Sequence, residues 1–156
     1  MSNGHRDAVL YGDFVEGDLA DKVLLKQLIQ PGRFDAVMHF ASFIQVGESV
    51  SAPGKYYQNN VAATLTLLQA MVNAGIKRLV FSSSAAVYGN NGEGLAIDEA
   101  TPKAPLTPYA ADKLASEHYL DFYRRQHGLE PAIFRFFNIF GPRQDPSSPY
   151  SGVISI

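Results

Sequence analysis

The stretch Phe34-Asp-Ala-Val-Met-His-Phe-Ala41 is a continuous, mostly apolar run of strand length. A run of this kind is typical of a central strand that is covered on both faces. Two further strands are predicted at Arg78–Ser84 and Pro131–Phe137, and helical patterns lie between the three. This alternation of strand and helix predicts an α/β fold with a partial, doubly wound parallel sheet flanked by helices.

Two long helices are predicted between these strands from periodicity and capping residues. Tyr56–Ala74 carries an apolar stripe at helical spacing, and Gly75 provides its stop. Thr107 and Pro108 suit the cap and first position of a helix that runs to about His127. A helix in each connection is what parallel strands require, because the chain must cross back before it pairs again.

The chain before the first long strand is predicted to add one short strand and one helix. Phe14–Glu16 is predicted as the strand, because Gly17 stops it. Asp18 is then predicted to cap a helix whose apolar pattern ends at Pro31. Asn90–Lys103 is rich in glycine, asparagine and acidic residues, so a surface loop is predicted there.

The composition is that of a single globular domain. The chain has 156 residues, of which 46% are hydrophobic and 18% are charged, so we expect one domain over residues 1–156. The net charge of −2 and the pI of about 6.0 provide no basic excess for nucleic acid or for an acidic membrane surface. We therefore expect neither partner.

Several other classes of site are excluded by residue usage. The absence of cysteine excludes disulfides and thiolate metal sites, and the four histidines show no paired metal-ligand spacing. No apolar run approaches the roughly 18 residues of a membrane span. The first residues also lack the apolar core of a signal peptide. These observations predict a cytoplasmic protein without a metal site.

Polar residues follow the predicted strands at the edge where parallel sheets bind ligands. They are Asp18, Ser42, the run Ser82–Ser84 and Asn138. Each has a structural explanation of its own, because aspartate caps helices and serines satisfy the backbone of turns. Their recurrence after four successive predicted strands favours one shared site.

Tyr109 and Lys113 lie four positions apart at the start of the second long helix, so they share one helix face. A free tyrosine has a pKa of about 10, and a nearby ammonium favours its phenolate. Such a pair can take a proton from a sugar or alcohol hydroxyl. The alternative is a solvated lysine beside a half-buried tyrosine, since this spacing also arises by chance among eight tyrosines.

The ordered set of motifs resembles the extended short-chain dehydrogenase/reductase family, whose dinucleotide-binding domain is Rossmann-like. The resemblance is closest to its UDP-sugar 4-epimerases, of the UDP-glucose 4-epimerase type (NAD-dependent epimerase/dehydratase). It covers nearly the whole chain. The motifs that carry it, in chain order, are Gly17-Asp-Leu19, His39-Phe-Ala-Ser42, Val46-Gly-Glu-Ser-Val50, Tyr56-Tyr-Gln-Asn-Asn-Val61, Phe81-Ser-Ser-Ser-Ala-Ala-Val-Tyr-Gly89, Tyr109-Ala-Ala-Asp-Lys113, Arg135-Phe-Phe-Asn138 and Gly141-Pro142.

The resemblance implies a role for each matching residue. Tyr109 is the expected base, Lys113 its partner and the holder of the nicotinamide ribose, and Ser84 the donor to the reacting sugar hydroxyl. Asn138 is expected to face the sugar nucleotide together with Ser84. The residues expected to contact NAD are Asp18, Leu19, Phe40, Ala41, Ser42, Asn59, Asn60, Ser82, Tyr109, Lys113 and Phe137, with Asn59 or Asn60 alternatively ordering the strand ends.

The implied reaction is NAD-dependent epimerisation at C4 of a UDP-sugar. Related 4,6-dehydratases carry an acidic pair after the serine, whereas this chain has Ala85 and Ala86, which favours epimerisation. Ile44 stands where the UDP-galactose type usually has a lysine, and Phe136 replaces a common tyrosine. The tail from Gly141 resembles relatives that act on other UDP-sugars, so the substrate is left open.

The family's N-terminal Gly-x-x-Gly-x-x-Gly turn, which holds the cofactor pyrophosphate, does not occur in this sequence. We therefore expect a truncated domain without the glycine-rich segment and without the C-terminal substrate domain. Two alternatives to an epimerase follow. One is a non-catalytic fragment that oligomerises to cover an exposed strand edge, and that binds NAD weakly or not at all. The other is a sugar-nucleotide reductase or decarboxylase. The two long helices resemble the pair through which the family dimerises, so a homodimer or higher homo-oligomer is expected in either case.

Overall fold

The structure is a computed structural model that describes residue 6 and residues 9–90 and 96–141. Its first half runs through α1 (Lys22–Leu28), β1 (Ala36–His39), α2 (Val46–Ser51), α3 (Pro53–Tyr56), a π-helical turn (Tyr57–Ala62) and α4 (Ala63–Ala74). The second half contains β2 (Arg78–Ser84), a 3₁₀ turn (Ala85–Tyr88), α5 (Pro108–His127) and β3 (Glu130–Phe136). The predicted alternation of strand and helix is therefore confirmed. Part of the predicted surface loop, 91–95, and the tail after Gly141 lie outside the described residues.

The three strands form one parallel sheet in the order β1-β2-β3. In register, Ala36 pairs with Arg78, and Arg78 pairs with Glu130. All three strands thus end at the same edge, where β2 finishes with Ser84 opposite Phe136. This edge carries the candidate site.

The core lies between one face of the sheet and helices α1, α4 and α5. Leu79 and Phe81 point into it from β2, because alternate residues of a strand share a face. Leu67 and Leu68 of α4 are buried against Leu120 of α5. Burial of these side chains supplies most of the driving force for the fold, at roughly 1.5–3 kcal/mol for each large apolar side chain.

The opposite face of the sheet is open in the part of the chain that the structure describes. Met38 is 66% exposed, Phe40 53% and Phe134 49%. The expectation that Phe34–Ala41 forms a strand covered on both faces is therefore wrong here. Among the described residues, β2 is the one strand that pairs with β1, so β1 lies at the edge of this sheet.

Two predictions near the N-terminus are also corrected. Phe14–Glu16 is not a strand, because the described residues offer it no neighbouring strand with which to form a ladder. Asp18 does not cap α1. Its Oδ1 accepts from the amide of Ala20 at 2.8 Å and closes a turn, whereas Asp21 caps the helix through the amides of Val23 and Leu24.

The helix boundaries predicted from capping residues are confirmed for α5 and nearly so for α4. The Thr107 side chain accepts from the amide of Ala110, and Gly128 ends α5 with φ of 68°. Gly75 ends α4 with φ of 74°. The predicted helix from Tyr56 is more complex, because it begins in α3 and passes through a π-helical turn before α4. No helix among the described residues combines the length and apolarity needed to cross a membrane.

Candidate active site at the carboxyl edge of the sheet

Lys113 is held inside the protein between α5 and β2. It is 4% exposed, and its Nζ donates to the carbonyl oxygen of Ser82 at 2.7 Å. Ser82 lies one residue beyond Phe81, the last residue of β2 in register with β1. Burial lowers the pKa of Lys113 to about 8, and the neighbouring Asp112 carboxylate opposes this shift. The alternative of a solvated lysine is therefore wrong.

Tyr109 lies one helical turn before Lys113 and is also buried. The Nζ of Lys113 is 5.8 Å from the centroid of the Tyr109 ring and 5.2 Å from that of Phe81. The helical spacing thus places the phenol and the ammonium on one face of α5, as the sequence predicts. A cation this close to a phenol stabilises negative charge on its oxygen.

Ser84 ends β2 and opens the 3₁₀ turn. Its Oγ accepts from the amide of Ala86 at 3.2 Å. Gly89 closes the turn with φ of +64°, and a Cβ there would lie 1.9 Å from the carbonyl oxygen of Ala104. The backbone amide of Ala104 also donates to the carbonyl oxygen of Val87 at 3.0 Å, which joins the segment at Ala104 to the 3₁₀ turn. The turn that follows Ser84 is therefore held by the hydrogen bond at Val87 and by the close packing at Gly89.

Beside the serines lies an ion pair with a buried carboxylate and a partly buried guanidinium, which the sequence did not reveal. Arg135 of β3 donates from Nη2 to Glu117 of α5 at 2.7 Å and from Nη1 to the Tyr88 hydroxyl at 2.7 Å. Ser83 donates to the same carboxylate at 2.5 Å. The Glu117 hydrogen bonds raise the pKa of Arg135 further above its ordinary range. Glu117 lies four residues after Lys113 on α5, and that spacing was the one available signal.

The π-helical turn directs Asn60 toward the segment after β1. The side-chain Oδ1 of Asn60 accepts from the backbone amide of Phe43 at 2.8 Å, and its Nδ2 donates to the backbone carbonyl of Phe43 at 3.0 Å. Asn59 donates to the same Asn60 oxygen at 2.9 Å. Between the two expected roles, cofactor contact and ordering of a strand end, this geometry supports ordering.

His39 ends β1 beside this turn and is buried. Its Nε2 lies 2.8 Å from the Thr64 hydroxyl, which itself donates to the carbonyl of Asn60 at 2.7 Å. Because that hydroxyl has one hydrogen, we assign the proton of the neutral imidazole to Nε2. Burial lowers the pKa of His39 to about 4, with a further contribution from Lys113.

The remaining predicted residues divide into two groups. Phe40 and Ala41 are exposed after β1 with Ser42 half-buried, and Phe137 and Asn138 are exposed after β3, so these lie at the carboxyl edge. Phe40 and Phe136 stack with centroids 6.4 Å apart across that edge. Asp18 and Leu19 belong to the turn before α1, where Leu19 packs against the core. No contact of these two with the other predicted residues is seen among those described.

Comparison with known proteins identifies the family. The sequence matches the NAD dependent epimerase/dehydratase family over residues 1–156. It is 45% identical over 144 residues to the UDP-glucose 4-epimerase of Streptomyces lividans, covering 90% of this chain and 43% of the relative.

Two solved UDP-glucose 4-epimerases with bound NAD have the same fold. The one from Brucella ovis is 43% identical with a TM-score of 0.83, over 86% of this chain and 41% of that one. The one from Thermus thermophilus is 37% identical with a TM-score of 0.90, over 96% and 49%. The chain spans less than half the length of these relatives. On its sequence and its fold, the chain belongs to the NAD dependent epimerase/dehydratase family.

Proposed function

We propose that this chain carries the catalytic residues of an NAD-dependent 4-epimerase acting on a UDP-sugar of the UDP-glucose/UDP-galactose type. The observation that carries the proposal is the buried Lys113, anchored on the Ser82 carbonyl at 2.7 Å with its ammonium 5.8 Å from the Tyr109 ring. A lysine is rarely buried this far without a chemical role, because the desolvation of its charge is costly.

The carboxyl edge fits a dinucleotide such as NAD. Ala41 is small and exposed, and Ser42 beside it provides a hydroxyl, so a ligand can approach the backbone after β1. Phe40 and Phe136 provide a stacked apolar surface at the same edge. Lys113 would hold the nicotinamide ribose, and Phe137 would line the nicotinamide pocket. NAD, when bound, supplies a reversible hydride acceptor for C4 of the sugar.

In this proposal the residues of the chain transfer the proton and orient the sugar. Ser84 holds the C4 hydroxyl by a hydrogen bond, and Tyr109 accepts its proton as C4 is oxidised to the ketone. Lys113 provides positive charge beside the phenol while the tyrosine is ionised. Tyr109 returns the proton when C4 is reduced on the other face. Asn138 faces the sugar nucleotide from the end of β3.

The surroundings favour epimerisation over elimination of water. Ala85 and Ala86 have no acid or base group and form the 3₁₀ turn directly after Ser84. The nearby carboxylate of Glu117 is bound by Arg135 and Ser83, so it is not free to transfer protons to a ligand. Tyr109 is the group that the proposal uses for proton transfer, and one such group is what exchange at a single carbon needs.

The test is conversion of UDP-glucose to UDP-galactose by the purified chain with excess NAD, followed by chromatography of the sugar nucleotides. We expect Tyr109→Phe to lower the rate by roughly 10²–10⁴-fold, the usual contribution of a positioned general base. Tyr119→Phe is the matched control, because Tyr119 is exposed on the same helix. Equal rates for the two variants would contradict the proposal. Products from UDP-glucuronate or a reduced sugar would instead identify a decarboxylase or reductase.

A second candidate is a non-catalytic unit that assembles with copies of itself. The open sheet face favours it, because Met38, Phe40 and Phe134 are exposed there and the outer edges of β1 and β3 have no partner strand among the described residues. Such a unit would form a homodimer or larger oligomer and produce no UDP-galactose under the same conditions. Turnover that is lost in Tyr109→Phe excludes this candidate.

A further inference from the structure

Asp112 is a buried carboxyl group that the proposed reaction does not use. It is 8% exposed, and its Oδ2 is buried without a hydrogen-bond partner among residues 9–90 and 96–141. An ionised carboxylate oxygen in such a place is costly, since no donor of the described residues offsets its charge. Its next neighbour along α5 is Lys113, which is 4% exposed. Two buried, oppositely charged groups therefore lie side by side.

Adjacent residues of a helix point about 100° apart, so the two groups interact through the protein interior and not as a contact pair. Such an interaction is strong when water is excluded, because the effective dielectric constant is low. Lys113 donates to a neutral carbonyl, Ser82, so no hydrogen-bonded anion balances its charge in the described structure. Asp112 is the neighbouring anion that can balance the charge of Lys113.

Several charged or titratable groups on the elements around α5 have partners of their own. On α2 and α3, Glu48 accepts from Lys55 at 2.5 Å and from Tyr56 at 2.8 Å. On β3, Arg135 is paired with Glu117 and donates to Tyr88 of the 3₁₀ turn. His39 at the end of β1 is bonded to Thr64 and is neutral near pH 7.

We propose that Asp112 sets the protonation of Lys113 and thereby the upper pH limit at which the Tyr109–Lys113 couple works. Burial raises the pKa of Asp112 to about 6 and lowers that of Lys113 to about 8, and each charge opposes the shift of the other. Between these two values both groups are charged. Loss of the Asp112 charge makes the ammonium easier to deprotonate. The consequence for catalysis rests on the proposed function, whereas the coupling itself does not.

The experiment is a pH titration by ¹³C NMR of the whole chain, following the ε-carbon of Lys113 and the side-chain carboxyl carbon of Asp112. Asp112→Asn keeps the side-chain volume and removes the charge. We expect it to lower the Lys113 midpoint by about 1 pH unit, the size of shift expected from one nearby charge. Asp121→Asn is the control, since Asp121 is exposed on the same helix and pairs with Arg124.

Lys113 must affect the Asp112 midpoint as much as Asp112 affects the Lys113 midpoint, because the coupling free energy between two binding sites is reciprocal. In Lys113→Met, the Asp112 midpoint should rise by the same amount. If this variant does not fold, the Lys113 midpoint in Asp112→Asn decides. An unchanged Lys113 midpoint in that variant overturns the proposal, and so does an unchanged Asp112 midpoint in Lys113→Met. If the chain proves active, Asp112→Asn should also lower the alkaline limit of its pH–rate profile.

Discussion

At the scale of single residues, two buried groups give opposite pH dependences to the stability of the fold. Burial lowers the pKa of His39 to about 4 from an ordinary 6.5. The unfolded chain therefore binds more protons between these values, and the free energy of unfolding falls as the pH drops through them. Burial raises the pKa of Asp112 to about 6 from 3.8. Its contribution has the opposite sign, since stability falls as the pH rises from 3.8 to 6.

Substitution of His39 or of Asp112 should reveal the pH dependence that the other residue gives to the free energy of unfolding. In Asp112→Asn, the free energy of unfolding should fall by about 3 kcal/mol as the pH is lowered from about 6.5 to 4, because the opposing contribution of Asp112 to that of His39 is absent. In His39→Gln, stability should instead rise on acidification over the same range. Urea denaturation at several pH values measures both.

The control for this prediction is His118→Gln, at an exposed histidine of α5. It should leave the pH profile of the unmodified chain in place. Parallel pH profiles for all three variants would show that neither buried group is linked to folding.

The sequence predicted the Tyr109–Lys113 couple because helical spacing is a local property that four residues define. It did not predict the burial of Asp112 or the pairing of Glu117 with Arg135. Burial of Asp112 depends on how other elements pack against α5, which no local pattern contains. The two members of the ion pair lie 18 residues apart on different elements.

At the scale of elements, the Glu117–Arg135 pair joins α5 to β3 and, through Ser83, to β2. Arg135→Met should destabilise the protein by roughly 3–5 kcal/mol, because it leaves the Glu117 carboxylate buried without its cation. Chemical denaturation measures the loss. Arg124→Met, which breaks an exposed pair with Asp121, should cost less than about 1 kcal/mol. Similar losses for the two variants would mean that the buried pair does not link the elements energetically.

The turn after β2 can be tested through its glycine. Gly89→Ala places a Cβ 1.9 Å from a backbone oxygen, so the segment at Ala104 must move. Gly75→Ala is the comparison, since Gly75 has φ of +74° but nothing within 4 Å. Gly75→Ala bears the roughly 1–2 kcal/mol cost of a left-handed alanine, and Gly89→Ala bears at least that cost, because its ψ of −142° lies in a region that essentially only glycine adopts. Gly89→Ala should lose a further 1–3 kcal/mol or so from overpacking, measured by thermal and urea unfolding. Equal losses would contradict the close approach.

Element boundaries were predictable where capping residues define them, as at Thr107 and Gly128 of α5. The same reasoning failed at Asp18, because Asp21 is equally suited to cap α1 and lies next to its first residue. The π-helical turn had no sequence signal. Its wider hydrogen-bonded ring coincides with the bonds that Asn60 makes to Phe43, which join segments 17 residues apart.

At the scale of the whole molecule, the open sheet face is the dominant feature. The apolar run Phe34–Ala41 predicted a strand covered on both faces, whereas the described residues cover only one face of it. Exposed apolar surface of this kind promotes association. We expect the purified chain to be an oligomer in light scattering and to bind NAD weakly, so that none is retained on purification and turnover requires added NAD. A monomer, or NAD released on denaturation, would falsify this expectation.

Two variants separate the possible contact faces. Phe134 on the sheet and Phe122 on α5 are both 49% exposed. Phe134→Lys should shift the mass toward the monomer, because a charge there disfavours burial of the sheet face, whereas Phe122→Lys should not. The reverse result would place the contact on the helices.

The strand order has a consequence for synthesis of the protein. Each strand pairs with the next one along the chain, at separations of 42 residues (36 to 78) and 52 residues (78 to 130). The ribosome therefore delivers β1, its partner β2 and then β3 in the order in which the ladders close. Every new strand meets a neighbour that has already emerged, so the described sheet can be assembled from its first strand to its last while translation is still under way.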